Sequence, residues 1–185
     1  MISVVIFVFG LLYLMRNHDL DRLLGLRIKL WWLILLSAAL QVATEHLSSL
    51  SPALAERDGA LYLLSHILLL IGVLANRHIV GFMVIAAGVF ANALVMALNG
   101  GFMPVSLEAL EEAGLGDRAA LLVAGGYLEH AALDASTRLP FLGDIIPLGP
   151  PLWFRAEVVS VGDVLVILGL VLTVFLETRP RPARG

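Results

Sequence analysis

Long runs of apolar residues separated by short polar stretches are the main pattern in this chain. A membrane-crossing helix needs about 20 mostly apolar residues, within a range of roughly 17–25. Runs near this length predict five transmembrane helices, at residues 2–15, 30–44, 59–75, 79–98 and 158–176. Arg16 follows the first run instead of preceding it, so we interpret that run as a retained helix and not a signal peptide. The pattern predicts an all-α integral membrane protein with one membrane domain over residues 1–185.

Composition agrees with this interpretation and excludes several classes of function. The chain is 59% hydrophobic and 15% charged, whereas soluble domains carry about 25% charged residues. Its net charge of −3 gives no basic excess for binding nucleic acid. Without cysteine it has neither a thiolate metal site nor a thiol nucleophile. Motifs for phosphate, dinucleotide or metal binding are not found in the sequence, so we expect no cofactor and no metal.

The distribution of basic residues predicts the orientation. With five helices, one side of the membrane receives eight of the 12 Lys and Arg residues. These eight are Arg16, Arg22, Arg27, Lys29, Arg77, Arg179, Arg181 and Arg184. Basic loops stay in the cytoplasm, so the N-terminus is predicted outside, the C-terminus inside, and residues 99–157 on the extracytoplasmic side.

This extracytoplasmic segment is predicted to contain two short helices. Ser106 can cap a first helix that runs through Glu112 and ends at Gly114. Asp117 can cap a second helix that runs to about Ala135.

Polar residues recur near the outer ends of the predicted spans. Gln41, His66, Asn92 and Asp163 all fall within roughly 5–11 Å of the outer boundary at 1.5 Å per residue. Because polar groups in lipid must find partners, we expect one shared polar cluster. The alternative is that each residue only joins two helices; for His66 this would mean a structural pairing with Asn92 or Ser65.

A glycine-rich turn and a histidine in the outer segment are further candidate binding groups. The backbone has unusual conformational freedom at Asn99, Gly100 and Gly101, at the outer end of the fourth span. Its N–H groups there could bind an anion or a carbonyl. The alternative is an ordinary helix C-cap and turn. His130 can titrate near neutral pH, or it has no specific role on the surface of its helix.

Two aspartates form the most specific chemical hypothesis. Asp144 and Asp163 fall at the same predicted membrane face, where paired carboxylates can activate water and protonate a leaving group. Two architectural alternatives remain open. Ser160 and Asp163 have the spacing of a capping box, and Asp144 can close an Asx turn before Pro147.

Three ordered motifs carry a resemblance over nearly the whole chain. They are Asn-Gly-Gly-Phe-Met-Pro at 99–104, Leu-Gly-Asp-Ile-Ile-Pro at 142–147 and Ser-Val-Gly-Asp at 160–163. Together they resemble an uncharacterised family of small bacterial multi-span membrane proteins, a domain of unknown function. The resemblance implies a protein of the bacterial inner membrane and implies no activity.

A second resemblance is local and concerns residues 142–172. This stretch is similar to the last part of lipoprotein signal peptidase, where one aspartate precedes a hairpin containing Trp and Pro and a second aspartate opens the final helix. Asp144 and Asp163 are 19 residues apart, with Trp153 and Phe154 between them. The resemblance implies that the two aspartates are a catalytic pair and that the substrate is lipidated.

Three classes of function follow from the sequence. The first is an accessory membrane protein, whose outer polar site interacts with membrane lipid or a membrane protein partner. The second is an aspartate-based hydrolase, and the third is a binder or carrier of a lipid or quinone.

Overall fold

The fold is mainly helical, with a small β-structured segment inserted between the last two long helices. In a computed structural model, the described residues are 21, 25–50, 58–124, 130–150 and 155–179, with the backbone alone described at 45–50 and 58. The predicted first span at 2–15 lies outside the described residues.

Six α-helices are present in the described part of the chain. The long ones are α1 (Trp31–Leu50), α2 (Asp58–Leu74), α3 (Val80–Leu98) and α6 (Val161–Glu177). The short ones are α4 (Leu107–Glu112) and α5 (Gly116–Val123). Each of the last four predicted spans therefore contains a helix, as the apolar runs indicate. The last helix begins later than the predicted span because residues Glu157–Val159 form a strand.

One described helix, α3, is long and apolar enough to cross a membrane. Shorter apolar helical stretches occupy Trp31–Thr44 in α1 and Gly59–Leu74 in α2. The prediction of an apolar, mainly helical protein is therefore confirmed, and α3 satisfies the length expected of a span.

The first three helices pack as antiparallel neighbours. Gly72 near the end of α2 lies against Ile34 near the start of α1, while Gln41 reaches Ser65 on the same pair of helices. A tight turn joins α2 to α3, and Asn76 within it is fully buried. The Asn76 amide donates to the carbonyls of Lys29 and Gly72, both at 2.8 Å, and so fixes the chain before α1 to the end of α2.

Glycines bring α3 and α6 into backbone contact. Gly81 and Gly88 on α3 lie seven residues apart and face Gly169 and Gly162 on α6, respectively. Because the order is reversed along α6, the two helices run antiparallel. Small residues let helix backbones approach closely, which gains dispersion contacts between the two helices. We call these four residues the glycine seam.

A small segment, residues 99–160, connects α3 to α6, and we call it the cap. Its strands are β1 (Met103–Val105), β2 (His130–Ala132), β3 (Ile146–Leu148) and β4 (Glu157–Val159). β1 pairs in parallel with β2, and β3 pairs antiparallel with β4. Asp144 extends the first pair, because its N–H donates to the Pro104 carbonyl at 2.8 Å and its carbonyl accepts from Ser106 at 2.9 Å.

A buried apolar cluster joins the cap to the long helices. Tyr62 of α2 and Val95 and Met96 of α3 pack against Met103 of β1. Leu142, from a short 3₁₀ turn at Pro140–Leu142, packs against the same cluster. The cap therefore sits over the N-terminal end of α2 and the C-terminal end of α3.

The first predicted cap helix is confirmed. Ser106 accepts a hydrogen bond from the Ala109 N–H at 3.1 Å at the start of α4. Gly114 follows the helix with φ +74°, and Leu115 N–H donates to the Leu110 carbonyl at 2.8 Å. These are the features of a Schellman C-terminus.

The second predicted cap helix is wrong in its bounds. Leu115, and not Asp117, occupies the N-cap of α5, and the helix ends at Val123. The predicted extension to Ala135 instead contains strand β2. The reason is that the backbone of 130–132 pairs with β1, a contact between distant segments that local periodicity cannot reveal.

Replacing Gly169 by Ala tests the glycine seam. A methyl group there would lie 2.5 Å from Ile85 Cγ1 and 2.7 Å from the Gly81 carbonyl oxygen. Since one obstacle is backbone, we expect destabilisation of about 1–3 kcal/mol, measured by unfolding in a fixed detergent. Gly116→Ala is the control, because a methyl group there meets no atom within 4 Å. Equal stability of the two variants would contradict the close helix contact.

Candidate functional site

A polar cavity lies where the long helices meet the cap. Its volume is about 190 Å³. It is lined by Gln41, Tyr62, His66, Asn92, Met96, Met103, His130, Asp144 and Asp163. Six of these residues are candidates from the sequence: Gln41, His66, Asn92, His130, Asp144 and Asp163. The structure thus brings residues from α1, α2, α3, α6 and three separate parts of the cap to one site.

Asp163 is held at the start of α6 by a capping box. The Ser160 hydroxyl accepts from the Asp163 N–H at 2.9 Å, and the Ser160 N–H donates to Asp163 Oδ2 at 3.0 Å. This arrangement satisfies backbone donors that the first turn of any helix leaves unpaired. The architectural alternative suggested by the sequence is therefore present, with Asp in the position usually taken by Glu.

Asn92 extends this capping box across the helix interface. Its Nδ2 donates to Asp163 Oδ1 at 2.8 Å, and its Oδ1 lies 2.9 Å from the Ser160 hydroxyl, which can donate to it. Both carboxylate oxygens of Asp163 thus accept hydrogen bonds from within the chain. Gly162 allows this approach, since a Cβ at that position would overlap the Asn92 side chain. Asp163 is consequently fixed in position by three groups, although it still borders the cavity.

Asp144 lies on the cap side of the cavity. It is 7% exposed, and its Oδ2 lies 3.4 Å from His130 Nε2. The parallel register places His130 opposite Met103, while the main chain of Asp144 pairs beside Val105. Strand pairing therefore brings together an acid and a base that lie 14 residues apart in the sequence.

His66 and Gln41 approach the cavity from α2 and α1. The Gln41 amide donates to the Ser65 hydroxyl at 3.1 Å, and that hydroxyl donates to the Tyr62 carbonyl at 2.6 Å. His66 Nδ1 lies 2.9 Å from the same carbonyl and 3.5 Å from Ser65 Oγ. A carbonyl can only accept, so Nδ1 is the donor in this contact. His66 therefore has the predicted contact with Ser65 and a closer partner in Tyr62, and Asn92 bonds elsewhere.

The Asn99–Gly100–Gly101 turn is part of the architecture beside the cavity. The Asn99 amide donates to the Val95 carbonyl at 2.7 Å and the Arg138 carbonyl at 2.9 Å, and its oxygen accepts from the Arg138 N–H. Gly101 N–H donates to the Met96 carbonyl at 2.7 Å. Gly100 and Gly101 have φ of +74° and +90°. The turn thus closes α3 as a C-cap, which was the alternative to an anion or carbonyl site.

Three cavity residues were not singled out from the sequence. Tyr62 precedes His66 by four positions, and Met96 follows Asn92 by four. Residues four apart share one face of a helix, so this spacing was the available signal. Met103 shows no comparable signal, because its place depends on strand β1 pairing with β2.

The described residues that line the cavity include two carboxylates and two imidazoles, and no Lys or Arg is among them. Within the described ranges, no group of three or more His, Asp or Glu side chains could hold a metal ion. Outside the cavity, hydrogen bonds from Ser136 and then Thr137 lower the pKa of Asp134 in an exposed turn. The site therefore offers negative charge and hydrogen-bond acceptors, flanked by one aromatic ring and two thioethers.

Fold and site together define a class: a mainly helical protein in which a β-paired cap closes a polar cavity between long apolar helices. The chain belongs to DUF5317, a family of unknown function whose profile matches residues 25–175. This confirms the assignment to an uncharacterised family that the three sequence motifs suggested.

A relative from Thermotoga maritima, described as an uncharacterized protein, is 35% identical over 118 residues. The match covers 64% of this chain and 63% of the relative's length. No solved structure matches the chain.

Replacing Ser160 by Ala tests the network around Asp163. Ser160 is fully buried, and its loss removes both a helix cap, worth about 1 kcal/mol, and a partner of Asn92. An orphaned buried polar group adds about 1–3 kcal/mol. We expect unfolding measurements to show about 2–3 kcal/mol of destabilisation. Ser106→Ala is the matched control, since it removes an N-cap without a partner on another helix; equal effects of the two changes would argue against the network.

Proposed function

We propose that this protein is a multi-pass protein of the bacterial cytoplasmic membrane whose cavity binds the polar headgroup of a membrane lipid. The observation that carries the proposal is the distribution of polar residues. Large apolar side chains lie on the outer surface of the long helices, and polar side chains are buried between them. Leu35, Val42, Phe90 and Leu170 are each more than half exposed. Large exposed apolar surfaces mark contact with a membrane or a partner.

The interior shows the complementary pattern. Ser65, Asn76, Asn92 and Thr173 are buried on or beside the long helices, at 0–7% exposure. Each has a hydrogen-bond partner within the protein, as polar groups in a lipid environment require. The apolar stretches of α1 and α2, together with α6, would complete the bundle around α3.

The orientation follows from the basic residues and supports an outer position for the cavity. The positive-inside distribution puts the α2–α3 turn in the cytoplasm and the cap outside. Exposed Trp31 and Trp32 at the start of α1 then lie at the cytoplasmic interface, where aromatic residues are enriched. The cavity beneath the cap would face the outer leaflet.

The size and lining of the cavity favour a headgroup as ligand. At about 190 Å³ it is smaller than the roughly 300–1,000 Å³ typical of sites for whole drug-sized molecules. Carboxylates, amides and imidazoles can bind a polar group, while Tyr62, Met96 and Met103 can contact apolar atoms next to it. A lipid could place its headgroup in the cavity and leave its acyl chains in the bilayer.

A second candidate is an aspartate-dependent hydrolase, supported by Asp144 and Asp163 lining the same cavity. The hydrogen bonds to both oxygens of Asp163 favour a fixed structural role over proton transfer. A hydrolase would lose turnover of a lipidated peptide in both Asp144→Asn and Asp163→Asn. A binding cavity predicts retained lipid and no turnover in the unmodified protein.

Cysteine labelling tests the multi-pass arrangement, and the natural chain has no cysteine to remove. Ala135 in the cap and His78 in the α2–α3 turn are both exposed. We expect a membrane-impermeant maleimide to label Ala135→Cys in cells with a permeable outer barrier and an intact inner membrane. His78→Cys should be labelled only after that membrane is opened. Labelling of both sites in unopened cells would overturn the proposed topology.

Lipid retention tests the binding function. We expect native mass spectrometry of the protein in mild detergent to show about one bound lipid per chain. Gln41→Phe introduces a ring at the cavity and should abolish retention. Val42→Phe is the matched control, because Val42 is 62% exposed on the adjacent position of α1. Both variants must unfold at similar temperatures. Equal lipid in the two variants would contradict binding in the cavity.

A further inference from the structure

We infer that the cavity recognises a headgroup that carries an N–H or O–H donor, and that the side-chain oxygen of Gln41 accepts the hydrogen bond. This inference rests on the proposed function, the binding of a lipid headgroup, and names the chemical feature that is recognised. A primary ammonium or a hydroxyl group has such a donor, whereas the trimethylammonium group of choline has none.

The short bond between Ser65 and Tyr62 fixes the orientation of the Gln41 amide. Ser65 Oγ lies 2.6 Å from the Tyr62 carbonyl oxygen, a distance at which two oxygens share a proton. Since a carbonyl can only accept, the Ser65 hydroxyl is the donor in this bond. The same hydroxyl oxygen must then accept from Gln41 at 3.1 Å, so the Gln41 NH₂ group, and not its oxygen, faces Ser65.

The Gln41 side-chain oxygen is consequently the polar atom of this amide that is left for a ligand. Gln41 lines the cavity and is only partly buried. Within the part of the chain that the structure describes, its side chain makes a hydrogen bond through Nε2 alone. An amide oxygen has two lone pairs and no proton. It can therefore bind a headgroup that donates, and it cannot form a hydrogen bond with one that only accepts.

Asn92 also lines the cavity, and its amide is occupied at both ends. Its Nδ2 donates to Asp163 Oδ1 at 2.8 Å, and its Oδ1 lies 2.9 Å from the Ser160 hydroxyl. Both contacts join α3 to the start of α6. The amide of Gln41 is held by the protein at its nitrogen only, so Gln41 is the better placed of the two to bind a ligand.

Gln41 distinguishes headgroups by hydrogen bonding and not by charge, because its side chain is neutral. Phosphatidylethanolamine and phosphatidylcholine carry the same net charge and differ only in the methyl groups on the nitrogen. The first has N–H donors and the second has none. A cavity that binds through the Gln41 oxygen should therefore prefer phosphatidylethanolamine, since phosphatidylcholine would leave this acceptor without a partner.

The experiment is a competition between these two lipids with identical acyl chains. The full-length protein in mild detergent is mixed with equimolar amounts of both, and bound lipid is measured by native mass spectrometry. We expect phosphatidylethanolamine to be preferred by about fivefold or more, the factor that one hydrogen bond supplies.

Gln41→Met tests the acceptor directly. Methionine has a side chain of similar length without an amide, so this variant should still bind lipid and should bind both headgroups about equally. Val42→Met is the matched control and should keep the preference, because Val42 is 62% exposed on the adjacent position of α1. Unfolding temperatures close to that of the natural protein establish that both variants are folded.

The outcomes separate this inference from the proposed function. Equal binding of the two lipids by the natural protein would overturn the donor assignment and leave lipid binding in place. A preference that survives in folded Gln41→Met protein would also overturn it, since headgroup size would then be the discriminating property. Binding of neither lipid would overturn the proposed function itself.

A dimethylated phosphatidylethanolamine decides the question if Gln41→Met does not fold. Its nitrogen keeps an N–H donor although it is nearly as bulky as choline. We expect the natural protein to bind it in preference to phosphatidylcholine. Equal binding of these two lipids would show that the donor is not recognised.

Discussion

Close contact between the backbones of α3 and α6 is the constraint on which the other features depend. Gly81 and Gly88 meet Gly169 and Gly162 in antiparallel order, and a methyl group at any of these positions would collide with the opposite helix. Only at this separation can the short side chain of Asn92 reach both Ser160 and Asp163. The four glycines therefore determine the helix packing, the capping of α6 and one wall of the cavity.

The buried polar residues have two roles, because they complete the capping of α6 and also line the cavity. The first turn of α6 has backbone donors that must be satisfied, and Ser160 and Asp163 satisfy them locally. The same Asp163 borders the cavity and brings a negative charge to it. Asp144 is placed differently, by strand pairing in the cap, and approaches the cavity from the opposite side. One acid is thus held by the capping of a long helix and the other by strand pairing in the cap, although both looked equivalent as members of Gly-Asp motifs.

Local signals in the sequence predicted local structure well. The apolar runs predicted the long helices, Ser106 and Gly114 predicted the ends of α4, and the spacing of Ser160 and Asp163 predicted the capping box. Contacts between segments far apart in the sequence could not be predicted from such local signals. The helix expected through Ala135 is instead strand β2, because residues 130–132 pair with β1. The proximity of His130 to Asp144 has the same origin. The helical positions of Gln41, His66 and Asn92 could be placed near one boundary from counting alone, whereas the position of Met103 required the tertiary structure.

The parallel pairing of β1 with β2 also bears on how the protein is made. Met103 follows α3 in the chain, its strand partner His130 comes 27 residues later, and Asp144 comes later still. Parallel pairing needs a crossover connection, here provided by α4 and α5. The cavity wall is therefore incomplete until the cap has been synthesised and folded back onto the ends of the helices, and Asp163 arrives only with the last helix. Helices α1 to α3 can pack before the site exists, so a chain stopped after α3 would contain about half of the described lining residues and no cap above them.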